Sequence, residues 1–208
     1  MRRAALFLLS LVAVPAALEA QKCVGQAPWS SGSLKVGGSI EFGGGSTDIA
    51  GGISTGKDQN FFFAAGAGVI TDNSQFFIQA GAGKELKKPL ADKIIICPIG
   101  NFSYAFKKDG VSSWAISGGL SGGYPVAMNS KNVGLILTGS AQLGYDKISV
   151  DGGLCDVTYA DCSDVLGIFG FGAGFIFNNR ISLVPQLVLP TKGDISLLII
   201  ANVAIGKH

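Results

Sequence analysis

The chain has 208 residues, of which 14% are charged and 31 are glycine, and its formal net charge at pH 7 is +2. Charged residues make up roughly 25% of an average globular domain, so this chain is poor in charge, and its mean hydropathy of +0.42 is high. The small net charge and the lack of a basic patch with interleaved aromatic residues exclude nucleic acid as a partner, and no apolar run beyond residue 20 reaches the roughly 18 residues of a membrane-spanning helix.

The N-terminus has the three parts of a secretory signal peptide. Arg2 and Arg3 form a basic start, residues 4–18 form an apolar core, and Ala20 is a small residue at a suitable cleavage position. We therefore predict that residues 1–20 are a signal peptide that is removed on export. A short membrane anchor is disfavoured because the core is short and contains Pro15.

Four cysteines follow the predicted cleavage site, and no two of them have the CxxC spacing: Cys23, Cys97, Cys155 and Cys162. An even number of cysteines in an exported chain favours disulfides over metal binding or redox chemistry. Because only six residues separate Cys155 from Cys162, we predict that these two form one disulfide and that Cys23 pairs with Cys97.

The rest of the chain alternates bulky apolar and small residues with the period of two that is typical of β-strands, and it has almost no helical periodicity. Clusters of Gly, Asn, Asp, Ser and Lys separate about ten such segments of roughly ten residues each. In chain order the bulky positions are Leu34, Val36, Ile40 and Phe42; Ile49 and Ile53; residues 61–70; Phe76 and Ile78; Phe102, Tyr104 and Phe106; Trp114, Ile116, Leu120 and Tyr124; Val133, Leu135, Leu137, Leu143 and Tyr145; Phe169, Phe171, Phe175 and Phe177; Ile181, Leu183, Leu187 and Leu189; and Ile195, Leu197, Ile199, Val203 and Ile205.

The two sides of the predicted strands differ sharply. In FGFGAGFIF, residues 169–177, the phenylalanines share one side and most of the glycines the other. A soluble barrel hides its bulky side, whereas a membrane barrel turns it toward lipid and keeps small or polar residues inside. A membrane is crossed by strands of roughly 9–11 residues, which is the length found here. We predict an all-β, up-and-down antiparallel transmembrane β-barrel of about ten strands, with eight as the alternative. The strand number is open by two because residues 94–106 and 133–150 are long enough to hide a break.

The sequence resembles small bacterial outer-membrane β-barrel proteins of the porin-like kind. The resemblance rests on the signal peptide, on FGFGAGFIF, and on ICPIGNFSYAF at residues 96–106. It implies a signal peptide at 1–20, a periplasmic segment at 21–32, a barrel at 33–208, and outer-membrane lipid and the barrel-assembly machinery as partners. The chain departs from the family in ending on Lys207 and His208 rather than on an aromatic residue.

Two sets of residues are candidates for function. The first comprises polar residues on the predicted lumen side: Lys35, Glu41, Gln79, Asn101, Gln142, Gln186 and Asn202. These residues could form a network that plugs the lumen or a constriction that selects solutes. The second comprises the aspartates of a predicted extracellular loop at 146–164, which could bind a cation or a surface partner: Asp146, Asp151, Asp156, Asp161 and Asp164. Their spacing is not that of a dedicated Ca²⁺ loop.

The sequence favours a protein without catalysis. His208 is the only histidine and the last residue, so a nucleophile activated by histidine is not visible, and we expect no cofactor and no metal. Three functions remain open. The first is a narrow passage for small solutes or a plugged surface barrel, the second is an adhesin or receptor acting through residues 146–164, and the third is a soluble secreted protein that binds apolar ligands.

Overall fold

The computed structural model describes residues 32–56, 61–86, 94–126, 128, 132–151, 163–178 and 180–205. These residues form ten strands: β1 (Gly32–Gly43), β2 (Ser46–Gly56), β3 (Phe61–Ile70), β4 (Gln75–Lys84), β5 (Ile95–Lys108), β6 (Val111–Val126), β7 (Val133–Val150), β8 (Ser163–Phe177), β9 (Ile181–Pro190) and β10 (Ser196–Ala204). Within the same ranges, no helix has the length and apolar character needed to cross a membrane.

The strands close into one antiparallel barrel. Each strand pairs with its neighbours in the chain, and β1 pairs with β10 to complete the ring. Closure leaves no unpaired sheet edge, which lipid could not hydrate. The predicted up-and-down barrel is confirmed with ten strands, and β5 and β7 each run without a break.

The bulky side of each strand faces outward. Phe171 and Leu143 are 56% and 70% exposed, whereas the intervening lumen residues of β7 and β8 are buried or half-buried. Aromatic residues lie near both ends of the outer surface, for example Trp114 against Tyr145 at one end and Phe177 at the other, as in the girdles of membrane barrels. A soluble protein with its rings in the core is therefore not supported.

The barrel has two distinct ends. Lys35 of β1 pairs with Ala204 of β10, so both ends of the barrel sequence lie together at what we call the proximal end. The distal end carries the connections after β1, β3, β5, β7 and β9. Two of these connections are tight turns, Gly44–Gly45 and Asp109–Gly110, in which both residues have positive φ. Such two-residue turns match the right-handed twist of a hairpin.

The predicted loop at 146–164 is shorter in the structure. β7 continues to Val150 and β8 begins at Ser163, so Asp146 and Asp164 face each other as a ladder pair. The predicted loop began at Asp146, although residues 147–150 (KISV) continue the alternation of a strand. They are held in strand form by pairing with Val111–Trp114 of β6.

Lumen-facing glycines make room for large side chains from neighbouring strands. A Cβ atom at Gly83 would overlap the ring of Phe62, which is only 1% exposed, and one at Gly170 would overlap the amide of Gln186. The bare side of the strands therefore accommodates the few bulky side chains that enter the lumen.

We expect Gly83→Ala to destabilise the barrel by about 1–3 kcal/mol, because a packed ring would have to move. Gly51→Ala is the matched control, since its added methyl would find its nearest neighbour 3.9 Å away. Urea unfolding in detergent micelles or vesicles measures both. Equal effects of the two substitutions would contradict this role of Gly83.

Candidate functional site

The proximal half of the lumen is filled by apolar side chains. One cluster joins four residues that are each 2% exposed or less, and Leu198 packs against it: Ile136, Ile176, Val184 and Ile200. The second cluster comprises Phe62, Ala64, Cys97 and Ile99. We call the two together the apolar plug. The alternation in the sequence predicted a lumen of small and polar residues. The apolar residues of the plug were not predicted there, although each has the inward parity of its strand.

Buried polar residues accompany the plug. Lys35 is 2% exposed near the proximal end of β1, and Asn202, at 6%, donates a hydrogen bond from Nδ2 to Ser182 Oγ at 3.4 Å. Both were predicted to face the lumen, and the structure places them there. Buried polar side chains therefore lie beside the two apolar clusters at this level of the lumen.

A hydrogen-bonded layer crosses three strands above the plug. Asn101 Nδ2 donates to Gln142 Oε1 at 2.8 Å and to Ser117 Oγ at 3.3 Å, and Ser117 Oγ donates to Gln142 Oε1 at 3.1 Å. Gln186 lies at the same level and is 2% exposed, but its Oε1 atom has no hydrogen-bond partner. Two residues of the predicted lumen set thus form a network, and a third presents an unmet acceptor.

The distal half of the lumen is open space. Three adjoining compartments of about 320, 330 and 290 Å³ share Glu41 in their lining. Gln79 lines the two larger ones, and Gln142 and Gln186 lie in the lining of the first. We call this space the vestibule. It opens toward the distal end and has the apolar plug beneath it.

Three carboxylates on strands line the vestibule, and a fourth, Asp194, lines its smallest compartment from the connection between β9 and β10. Glu41 of β1 is the direct ladder partner of Asp48 of β2, and Asp146 of β7 lines the two larger compartments with Glu41. β2 and β7 are five strands apart in a ring of ten, so Asp48 and Asp146 face each other across the lumen. Only Glu41 was in the predicted lumen set. Asp48 and Asp146 share its inward parity but were assigned to a turn and to the loop.

Two other aspartates lie at the distal rim in ion pairs. Asp151 contacts Lys107 Nζ at 2.5 Å, and Asp164 contacts Lys192 Nζ at 2.6 Å. Asp156 and Asp161 fall outside the described residues. Among the residues that the structure describes, no group of three His, Cys, Asp or Glu residues could hold a metal ion. The two visible loop aspartates are therefore neutralised by lysines instead of converging on one ion.

Cys97 is fully buried and belongs to a disulfide whose partner lies outside the described residues. Cys23, Cys155 and Cys162 also lie outside them. The pairings Cys23–Cys97 and Cys155–Cys162 stay predictions.

Comparison with known proteins gives structural likeness only. No protein-family model matches the chain, and no curated protein sequence matches it. Solved structures of similar shape include the outer-membrane enzyme PagL (11% identity, 82% of this chain and 99% of that one, TM-score 0.45) and the KdgM porin (7%, 83% and 99%, 0.44). A third is the translocator domain of the autotransporter NalP from Neisseria meningitidis (13%, 98% and 96%, 0.41). These sequence identities and TM-scores are too low to support an inference about function.

The closed ring of strands and its apolar outer surface indicate the type of barrel. Every strand is long enough to cross a bilayer, since the shortest has nine residues. The bulky residues face outward and the polar ones line the lumen, the arrangement that is typical of membrane barrels. The chain folds as a closed, antiparallel β-barrel of ten strands with an apolar outer surface.

Proposed function

We propose that the protein is a plugged, non-enzymatic surface barrel rather than a narrow passage for small solutes. The observation that carries this proposal is the apolar plug, whose side chains Ile136, Ile176, Val184 and Ile200 are each 2% exposed or less. An ion crossing this level would have to leave water and pass between buried apolar side chains, which is costly.

The vestibule supports binding better than catalysis. The described residues of its lining include carboxylates, amides and hydroxyls, and none of them is His, Lys, Arg or Cys. Ser196 Oγ does donate a hydrogen bond to Glu41 Oε1 at 2.5 Å. A carboxylate alone, without an imidazole or amine to take the proton, is a weak activator of a serine hydroxyl.

We further propose that the distal end faces the outside of the cell. The longest connection at that end joins β7 to β8, and outer-membrane barrels place long loops outside and short turns in the periplasm. In this orientation the vestibule opens to the medium. Residues 1–20 would have been removed as a signal peptide, and residues 21–32 would lie in the periplasm.

A surface receptor acting at the distal rim is the second candidate. β6, β7 and β8 are 16, 18 and 15 residues long, whereas β9 has 10. The longer strands carry the β7–β8 connection away from the membrane, and the Lys107–Asp151 ion pair joins its base to the adjacent turn. Loss of partner binding on shortening this connection, with the barrel intact, would favour this role.

Conductance tests the main proposal. We expect the wild-type protein, reconstituted in planar bilayers, to give no stable current steps, because the buried apolar side chains of the plug occupy the proximal half of the lumen. A variant with Ile176→Ala and Ile200→Ala should conduct, with preference for cations because carboxylates line the entrance.

A variant with two outer-face substitutions, Leu135→Ala and Ile199→Ala, is the matched control and should stay silent. Folding of every preparation is checked by the mobility difference between boiled and unboiled samples on SDS gels. Regular current steps from the wild-type protein would show that the lumen conducts and would reject the plugged state.

A further inference from the structure

The carboxylates of the vestibule are arranged as opposed negative walls. Glu41 and Asp48 are direct cross-strand neighbours on one wall, and Asp146 stands on the opposite wall. Like charges placed directly opposite each other in a ladder destabilise it. Such an arrangement lowers the stability of the folded barrel unless a cation enters the space between the walls.

Within the described ranges, none of the residues that line the three compartments is Lys, Arg or His. Two lysines at the nearby rim, Lys107 and Lys192, are engaged with Asp151 and Asp164. A positively charged ligand would therefore balance the carboxylates of the described lining.

Hydrogen-bond acceptors without partners also favour a cationic ligand. Gln186, 2% exposed, has an Oε1 atom without a partner at the floor of the vestibule. Asp48 and Asp146 each have one buried carboxylate oxygen, Oδ1, that is also without a partner. Buried acceptors normally have donors, so a ligand whose N–H groups reached these three oxygens would satisfy them.

The geometry favours an elongated organic cation over a metal ion. In the described part of the chain no three ligand-type side chains converge closely enough to hold a metal, because Asp48 and Asp146 lie on opposite sides of the ring. A compartment of about 330 Å³ between them is within the range of small-ligand sites. A chain with ammonium groups at separated positions would reach both walls at once.

We propose that the vestibule is a binding site for linear polyamines. One ammonium group pairs with Glu41 and Asp48, another pairs with Asp146, and the carbonyl of Gln186 accepts an N–H from below. Polyamine binding in the vestibule does not depend on whether the lumen conducts, so its test is independent of the test of the plugged state.

Calorimetric titration of the detergent-folded protein with spermidine tests the proposal. We expect saturable binding that weakens from low salt to 150 mM salt, as charge pairing requires. Asp146→Asn and Asp48→Asn should each lower the affinity by about tenfold or more, since each removes one charge of a partly desolvated pair.

Asp109→Asn is the matched control, because Asp109 is exposed in a distal turn outside the compartments. It removes the same charge and should leave the affinity unchanged. The boiled and unboiled mobility of each variant reports whether it has folded, and Glu41→Gln provides a third test of the site if either Asn variant fails to fold.

Three results would overturn the proposal. The first is no heat of binding for spermidine with folded wild-type protein. The second is an equal loss of affinity in Asp109→Asn and Asp146→Asn, which would mean non-specific attraction to surface charge. The third is displacement of spermidine by equimolar Mg²⁺, which would identify a metal site instead.

Discussion

Truncating Ile200 to Ala is expected to destabilise the folded barrel by about 2–5 kcal/mol, the usual range for a packed aliphatic side chain. Ile200 is 1% exposed and packs with Ile136, Ile176 and Val184 in the proximal half of the lumen. Removal of its side chain leaves a cavity that neither lipid nor neighbouring strands can readily fill. Reversible urea unfolding in lipid vesicles measures the change.

The adjacent residue provides the control for this prediction. Ile199 immediately precedes Ile200 in β10 and is also an isoleucine. It lies on the outer face, where it is the ladder partner of Ile40 and Pro185. Lipid chains can occupy the space that Ile199→Ala would leave, so we expect a clearly smaller loss. If truncation at Ile199 cost as much as truncation at Ile200, or more, the assignment of the two faces would be wrong.

Placing Arg at Phe171 is expected to cost about 2–4 kcal/mol, as for a charge facing lipid near the bilayer midplane. Phe171 lies near the middle of β8 along the strand. Its side chain is on the outer face of the barrel and is 56% exposed. The expected readout is a smaller fraction of protein that folds into vesicles, seen as heat-dependent mobility on SDS gels. A lower free energy of unfolding should accompany it.

Ser103→Arg introduces the same side chain into the lumen. Ser103 lines the two larger compartments with Glu41 and Asp146, so the guanidinium group can reach water and carboxylates. We expect folding close to that of the wild type. Equal folding defects at positions 171 and 103 would be incompatible with a lipid-facing Phe171.

The sequence was sufficient to predict the architecture because the side-chain period of a strand is two. In β8 the alternation of Phe and Gly assigned each residue to its face, and the same parity placed Lys35, Gln142 and Gln186 in the lumen, where the structure has them. The strand number followed from the turn residues between the alternating segments. Parity is a local property, so it survives without knowledge of how the strands are arranged.

What only the tertiary structure decided is which inward residues meet. Ile136 and Ile200 are 64 positions apart and Asp48 and Asp146 are 98 positions apart in the sequence, and nothing local relates either pair. Closure of the ring and the stagger between strands set the level of each side chain in the lumen. They collect the isoleucines into a plug at the proximal end and oppose the carboxylates at the distal end. The barrel and its two faces follow from the local alternation of the chain, whereas its apolar plug and acidic vestibule exist only because closure brings distant strands together.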